Sequence, residues 1–142
     1  MRNLTKDEQS KILSAIQEAE NTSSGEIVLF LCKKSKGEIY DYAQKIFLDK
    51  KLYQTKQRNA VLIVLAYKEQ KLAILGDEGI NKLVSECFWS DVKDLMIEHF
   101  KKEEVVEGLA DGIIMIGDKL KEFFPPLEND VNELSNEILH ED

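Results

Sequence analysis

Asp77 and Glu78 stand side by side between Gly76 and Gly79, where the apolar run Leu72-Ala73-Ile74-Leu75 stops. Two carboxylates on a tight turn can hold a hard divalent cation, Ca²⁺ or Mg²⁺, with help from backbone oxygens. They can equally begin a helix. Asp77 would then be its cap, and Glu78 would sit at its positive end.

Glu26 is the second acidic candidate. It opens the continuously apolar stretch Ile27–Cys32. A charge beside such a stretch needs solvent, a partner or an ion. Arg58 could grip phosphate or carboxylate with its planar fork, or pair with Asp77 or Glu26 inside the fold. Asn59 reads as a turn residue before a strand. Thr22, Ser23 and Ser24 are suited to accepting local turns and closing a helix end. A nucleophilic serine there would need a base, and no histidine is close in sequence.

The elements that must position these residues follow from periodicity. Thr5-Lys6-Asp7-Glu8 is a capping box, and Ile12, Ala15, Ile16 and Ala19 share one face, so a helix spans 6–21. Ile27–Cys32 and Ala60–Tyr67 have no polar side and read as strands buried on both faces. Between them, Ile39, Tyr42, Ala43, Ile46 and Phe47 mark a helix over about 38–50. Leu72–Leu75 returns as a third strand after a short turn. The second half reads as helical: a turn at Ile80–Val84, a helix near 89–101, and a longer one from Val105 to the Pro125-Pro126 stop.

Strand, helix, strand makes a parallel crossover, and the hairpin adds an antiparallel strand. The expected fold is α/β: a three-layer αβα sandwich, Rossmann-like, with helices on both faces of a small mixed sheet. This topology brings "TSSGE", "RN" and "GDEG" to one end of the sheet. It gathers Thr22, Ser23, Ser24, Glu26, Arg58, Asn59, Asp77 and Glu78. The general rule for open α/β sheets favours the other end, at the carboxyl termini of the parallel strands.

The segments "TSSGEIVLFL", "RNAVLIVLA", "LAILGDEGI", "FW", "EGL", "FFPP" and "NELSNEI" occur in this order. In this the chain resembles the TPM domain family, over nearly its whole length, and its soluble bacterial members above all. The resemblance implies a Rossmann-like sandwich. It implies divalent-cation binding as in some members, and acid phosphatase activity or roles in assembly and receptor modulation as in others. Three departures stand out: the additional serine in Thr22-Ser23-Ser24-Gly25-Glu26, Ala60 where the family often has glycine, and Ser135-Asn136 where it commonly has proline and aspartate.

The 142 residues carry a net charge of −8. That argues against a nucleic-acid footprint and suits cations or basic partners. Residues 127–142 hold six acidic side chains and no lysine or arginine. We read 1–126 as one domain and 127–142 as an acidic tail. The tail is a partner-binding segment or a short docked helix anchored by Leu134 and Ile138. Cys32 and Cys87 read as buried free thiols, and Trp89 as core. No apolar run is long enough to cross a bilayer, and the N-terminus lacks a signal core, so a cytoplasmic location without membrane insertion is expected.

His99 and His140 form no metal-binding set, and Glu107 with Asp111 reads as a solvated helix face or a second cation site. No EF-hand loop, Cys-x₅-Arg loop, Asp-x-Asp motif or Gly-rich phosphate loop is present. The preferred reading is a binding or assembly module that takes Ca²⁺ or Mg²⁺ through Asp77, Glu78 and Glu26 and presents its loops to a protein partner. Arg58, Asn59, Ser24 and Thr22 would be the further ligand contacts. The alternative is a metal-assisted phosphomonoester hydrolase.

Overall fold

The computed structural model describes residues 4–126 and 138–140. Its order is α1 (Lys6–Asn21), β1 (Glu26–Cys32), α2 (Ile39–Asp49), β2 (Ala60–Ala66), β3 (Lys71–Gly76), α3 (Glu78–Asn81), α4 (Phe88–Lys101), α5 (Val105–Phe123) and β4 (Ile138–His140). The capping box at α1 is complete: Glu8 N donates to Thr5 Oγ1 at 3.1 Å, and Thr5 N donates to Glu8 Oε1 at 2.9 Å.

The sheet order is β3-β2-β1-β4. β1 and β2 are parallel, from Glu26 opposite Ala60 to Cys32 opposite Ala66. β3 runs antiparallel to β2 and β4 parallel to β1. Every residue of β1 and β2 is buried. Their side chains alternate between two cores. Ile27, Leu29, Leu31, Val61, Ile63 and Leu65 face α1, α4 and α5. Val28, Phe30, Cys32, Leu62 and Val64 face α2. Three layers result, as the hydrophobic runs require. Past the β3 edge, Lys93 on α4 donates to the Tyr40 hydroxyl on α2 at 3.2 Å and joins the two outer layers.

Three readings change. Ile138 does anchor the chain, but Ile138–His140 is extended and adds an edge strand to β1 instead of a helix. Leu134, Ser135, Asn136 and the tail's acidic residues lie outside the described residues. Cys32 is buried, whereas Cys87 is exposed, because it stands in the turn before α4 and not on its packed face. Trp89 is only partly buried, at the edge of the larger core.

At the β2–β3 turn, Glu69 accepts from Ser35 N at 2.6 Å and from Ser35 Oγ at 3.1 Å. The backbone donor of Ser35 leads in holding the Glu69 carboxyl below its ordinary value of 4.5. A carboxylate with a depressed folded pKa stabilises the fold above the unfolded value and loses that contribution as pH falls through the folded one. The difference in denaturation midpoint between the parent and Glu69→Gln should therefore narrow as pH drops from 7 to below 4. A gap constant across that range contradicts the assignment.

Ile63 lies at the sheet centre with no exposed surface. Ile63→Ala should cost about 2–5 kcal/mol. Urea unfolding should report it as a lower midpoint at unchanged slope.

Candidate functional site

The antiparallel return of β3 brings its C-terminus to the end where β1 and β2 begin. Asp77 N donates to Ala60 O at 2.9 Å, and Ala60 is the register partner of Glu26. The three predicted loops do meet here.

Asp77 caps α3: its Oδ1 accepts from Glu78 N at 2.8 Å. The same carboxylate takes a bidentate grip from Arg58, Nε to Oδ2 at 2.6 Å and Nη2 to Oδ1 at 2.9 Å. Arg58 Nη1 reaches Glu78 Oε1 at 3.2 Å. One guanidinium thus bridges both carboxylates of the opening pair. Geometry of this kind is the strong form of an ion pair. The Asp77 side chain is only 5% exposed, while Arg58 is 39% and Glu78 72% exposed. Hydrogen bonds from Arg58 to the Asp77 carboxylate raise the Arg58 pKa above its ordinary value. Arg58 would lose its charge only as pH rises through the raised value, so it stays charged at any working pH.

Arg58 has a positive φ of 50°, and its carbonyl accepts from Gly79 N at 2.7 Å. Gly79 must be glycine here. A Cβ on it would lie 2.0 Å from Gln57 O and 2.5 Å from Arg58 O, both backbone atoms.

The first loop joins through other contacts. Asn59 Nδ2 donates to Ser24 O at 3.2 Å, and Gln57 Nε2 donates to Ser24 Oγ at 2.9 Å. Ser24 N donates to Phe124 O at 2.8 Å, which ties in the end of α5. Ser23 and Thr22 donate their hydroxyls to carbonyls at the end of α1. Thr22 is exposed and directed to its own helix. Glu26 is buried, 3% exposed, on the α2 side of the sheet.

Several participants escaped sequence reading. Gln57 links two loops, and Glu20 accepts from Ile27 N at 2.9 Å. Trp89 covers Gly76 and donates its indole N–H to Asn81 at 2.8 Å. No spacing signals these contacts, because each joins separate elements. His99 lies on α4 between Glu104 and Asp111 of the α5 segment, at 3.1 Å from each. It is roughly 15 Å along α4 from Trp89, by the helical rise. Glu107 is exposed. Among the described residues, no three His, Cys, Asp or Glu side chains are grouped to hold a metal ion.

The TPM domain model matches residues 2–119. The chain belongs to the TPM domain family. The NMR structure of BA42 protein from the psychrophilic bacterium Bizionia argentinensis is similar over 99% of this chain and 97% of its own, with 37% identity and a TM-score of 0.92. The N-terminal domain of a P. gingivalis protein shares the fold at 19% identity and TM-score 0.69, over 84% of this chain and 77% of its own. That of cg2496 from Corynebacterium glutamicum does so at 12% and 0.67, over 83% and 74%. No curated protein matches the chain. Among the described residues of this TPM domain, no helix is long and apolar enough to cross a membrane.

Gly79→Ala should push the Gln57–Arg58 backbone away and destabilise the domain by about 1–3 kcal/mol. The amides of residues 57–59 should shift in its NMR spectrum. An unchanged midpoint with unshifted amides contradicts the packing described.

Proposed function

We propose that this TPM domain is a binding module whose loop end takes a divalent cation, Ca²⁺ or Mg²⁺, and presents the ordered loops to a protein partner. One observation carries the reading. A single positive group, the Arg58 guanidinium, lies within 3.2 Å of oxygens from both Asp77 and Glu78. A hard cation seeks the same oxygens. Arg58 is partly exposed, so it can swing outward when a doubly charged ion replaces it. Glu26, the third acidic residue of the proposal, opens β1 at the same end, with β2 between it and β3. Ser24, Asn59 and Thr22 are the further ligand contacts of the proposal.

Two carboxylates in competition with an arginine make a weak site, with dissociation constants on the order of 0.1–1 mM. The hydrolase alternative would need Arg58 for phosphate, and all three of its donor nitrogens already face carboxylates. The hydroxyls of Thr22 and Ser23 are donated to α1 carbonyls. No observation favours that reading over the module.

Titration with Ca²⁺ or Mg²⁺, followed by backbone amide shifts, tests the proposal. Saturable shifts are expected at 22–26, 57–59 and 76–79, and Asp77→Asn should weaken them about tenfold or more. Absence of metal-dependent shifts in these loops overturns the cation site. Turnover of a generic phosphomonoester that vanishes in Asp77→Asn would favour the hydrolase instead.

A further inference from the structure

The opposite end of the sheet holds a cleft of about 710 Å³. It lies at the carboxyl ends of β1 and β2, between the start of α1, the β2–β3 turn and the α4–α5 junction. This is the end at which open α/β sheets most often bind ligands. Its volume is that of a ligand pocket.

Four apolar residues line it: Leu4, Phe100, Val105 and Val106. All four pack on the larger core yet remain partly exposed. They are the part of the core that the fold leaves open to the cleft. Every charged lining residue is a glutamate. Glu8 is engaged in the α1 cap. Glu103 and Glu107 differ: neither carboxylate has an ion-pair or hydrogen-bond partner among the described residues. Lys101 and Lys102 precede Glu103 but do not line the cleft.

Glu103 has φ 62° and Gln70 φ 57°, and both line the cleft. Glu103 follows the end of α4, where glycine or asparagine would be the less strained choice.

We propose that this cleft binds an extended segment of a protein partner in which a large apolar side chain is flanked by lysine or arginine. The apolar residue covers Phe100, Val105 and Val106. The flanking cations meet Glu103 and Glu107. Complementary charge fixes the class of partner and its register, while apolar burial supplies the affinity. The site is independent of the cation loops at the other end, so either can fail alone.

The probe is an end-blocked pentapeptide, Lys-Leu-Phe-Lys-Lys, titrated into the full chain and followed by amide shifts. Saturable shifts are expected at residues 4–8, 70 and 100–107. Glu103→Gln and Glu107→Gln should each weaken binding about two- to fivefold, a loss that added salt mimics. Both positions are on the surface, so the variants should keep the parent spectrum elsewhere. The same peptide with glutamate for lysine should not bind. Four results overturn the proposal: no saturable shifts at millimolar peptide; equal binding by the acidic peptide; equal binding by spermidine, which would reduce the cleft to an acidic patch; or affinity unchanged in both glutamine variants. Contacts from Met1 or Arg2 to Phe100 in the free protein would assign the cleft to the chain's own amino end. Concentration-dependent broadening of the same amides without peptide would assign it to a second copy. Either also overturns it.

Discussion

The two central strands have no face to spare. All fourteen residues of β1 and β2 are buried, so each face of the sheet must be covered by helices. Full burial of a large aliphatic side chain stabilises by about 1.5–3 kcal/mol, and most of these positions are large and aliphatic. A sheet so committed cannot use its faces for recognition. Chemistry is confined to the two ends, where loops leave the sheet and backbone groups need partners.

The two ends solve that need differently. At the amino end of β1, groups from separate loops pair with one another: Arg58 with Asp77 and Glu78, Asn59 with Ser24, and Ser24 with Phe124. That end is tightly built, with Gly79 allowing backbone to approach backbone. At the carboxyl end, core side chains emerge into an open cleft beside Glu103 and Glu107. The first end is a cation-like arrangement already filled by an arginine. The second has an apolar floor and an acidic rim.

Much of this was legible in the residues. The capping box of Thr5 and Glu8, the unbroken apolar strands and the helical spacing of Ile39–Phe47 each reflect local geometry, and local geometry is written in sequence. The meeting of three loops followed from strand direction alone. Where signals were short or non-local, the reading was incomplete. Ile138–His140 is too short for alternation to declare a strand, and its partner is β1, more than a hundred residues earlier. Cys87 sits beside Phe88 in sequence but not on the same packed surface. Gln57, Glu20 and Trp89 matter through contacts with other elements. The cleft draws on three separate stretches of chain, so no window of sequence could display it.

On the proposed function, the Arg58–Asp77 pair holds the loop end together and governs access to its carboxylates. A double-mutant cycle of Arg58→Ala and Asp77→Asn, measured by urea unfolding with and without saturating Ca²⁺, tests it most directly. A coupling of about 1–3 kcal/mol is predicted without the ion. It should shrink when the ion is present, because cation and guanidinium compete for the same oxygens. Coupling near zero without Ca²⁺, or undiminished by it, would contradict the account.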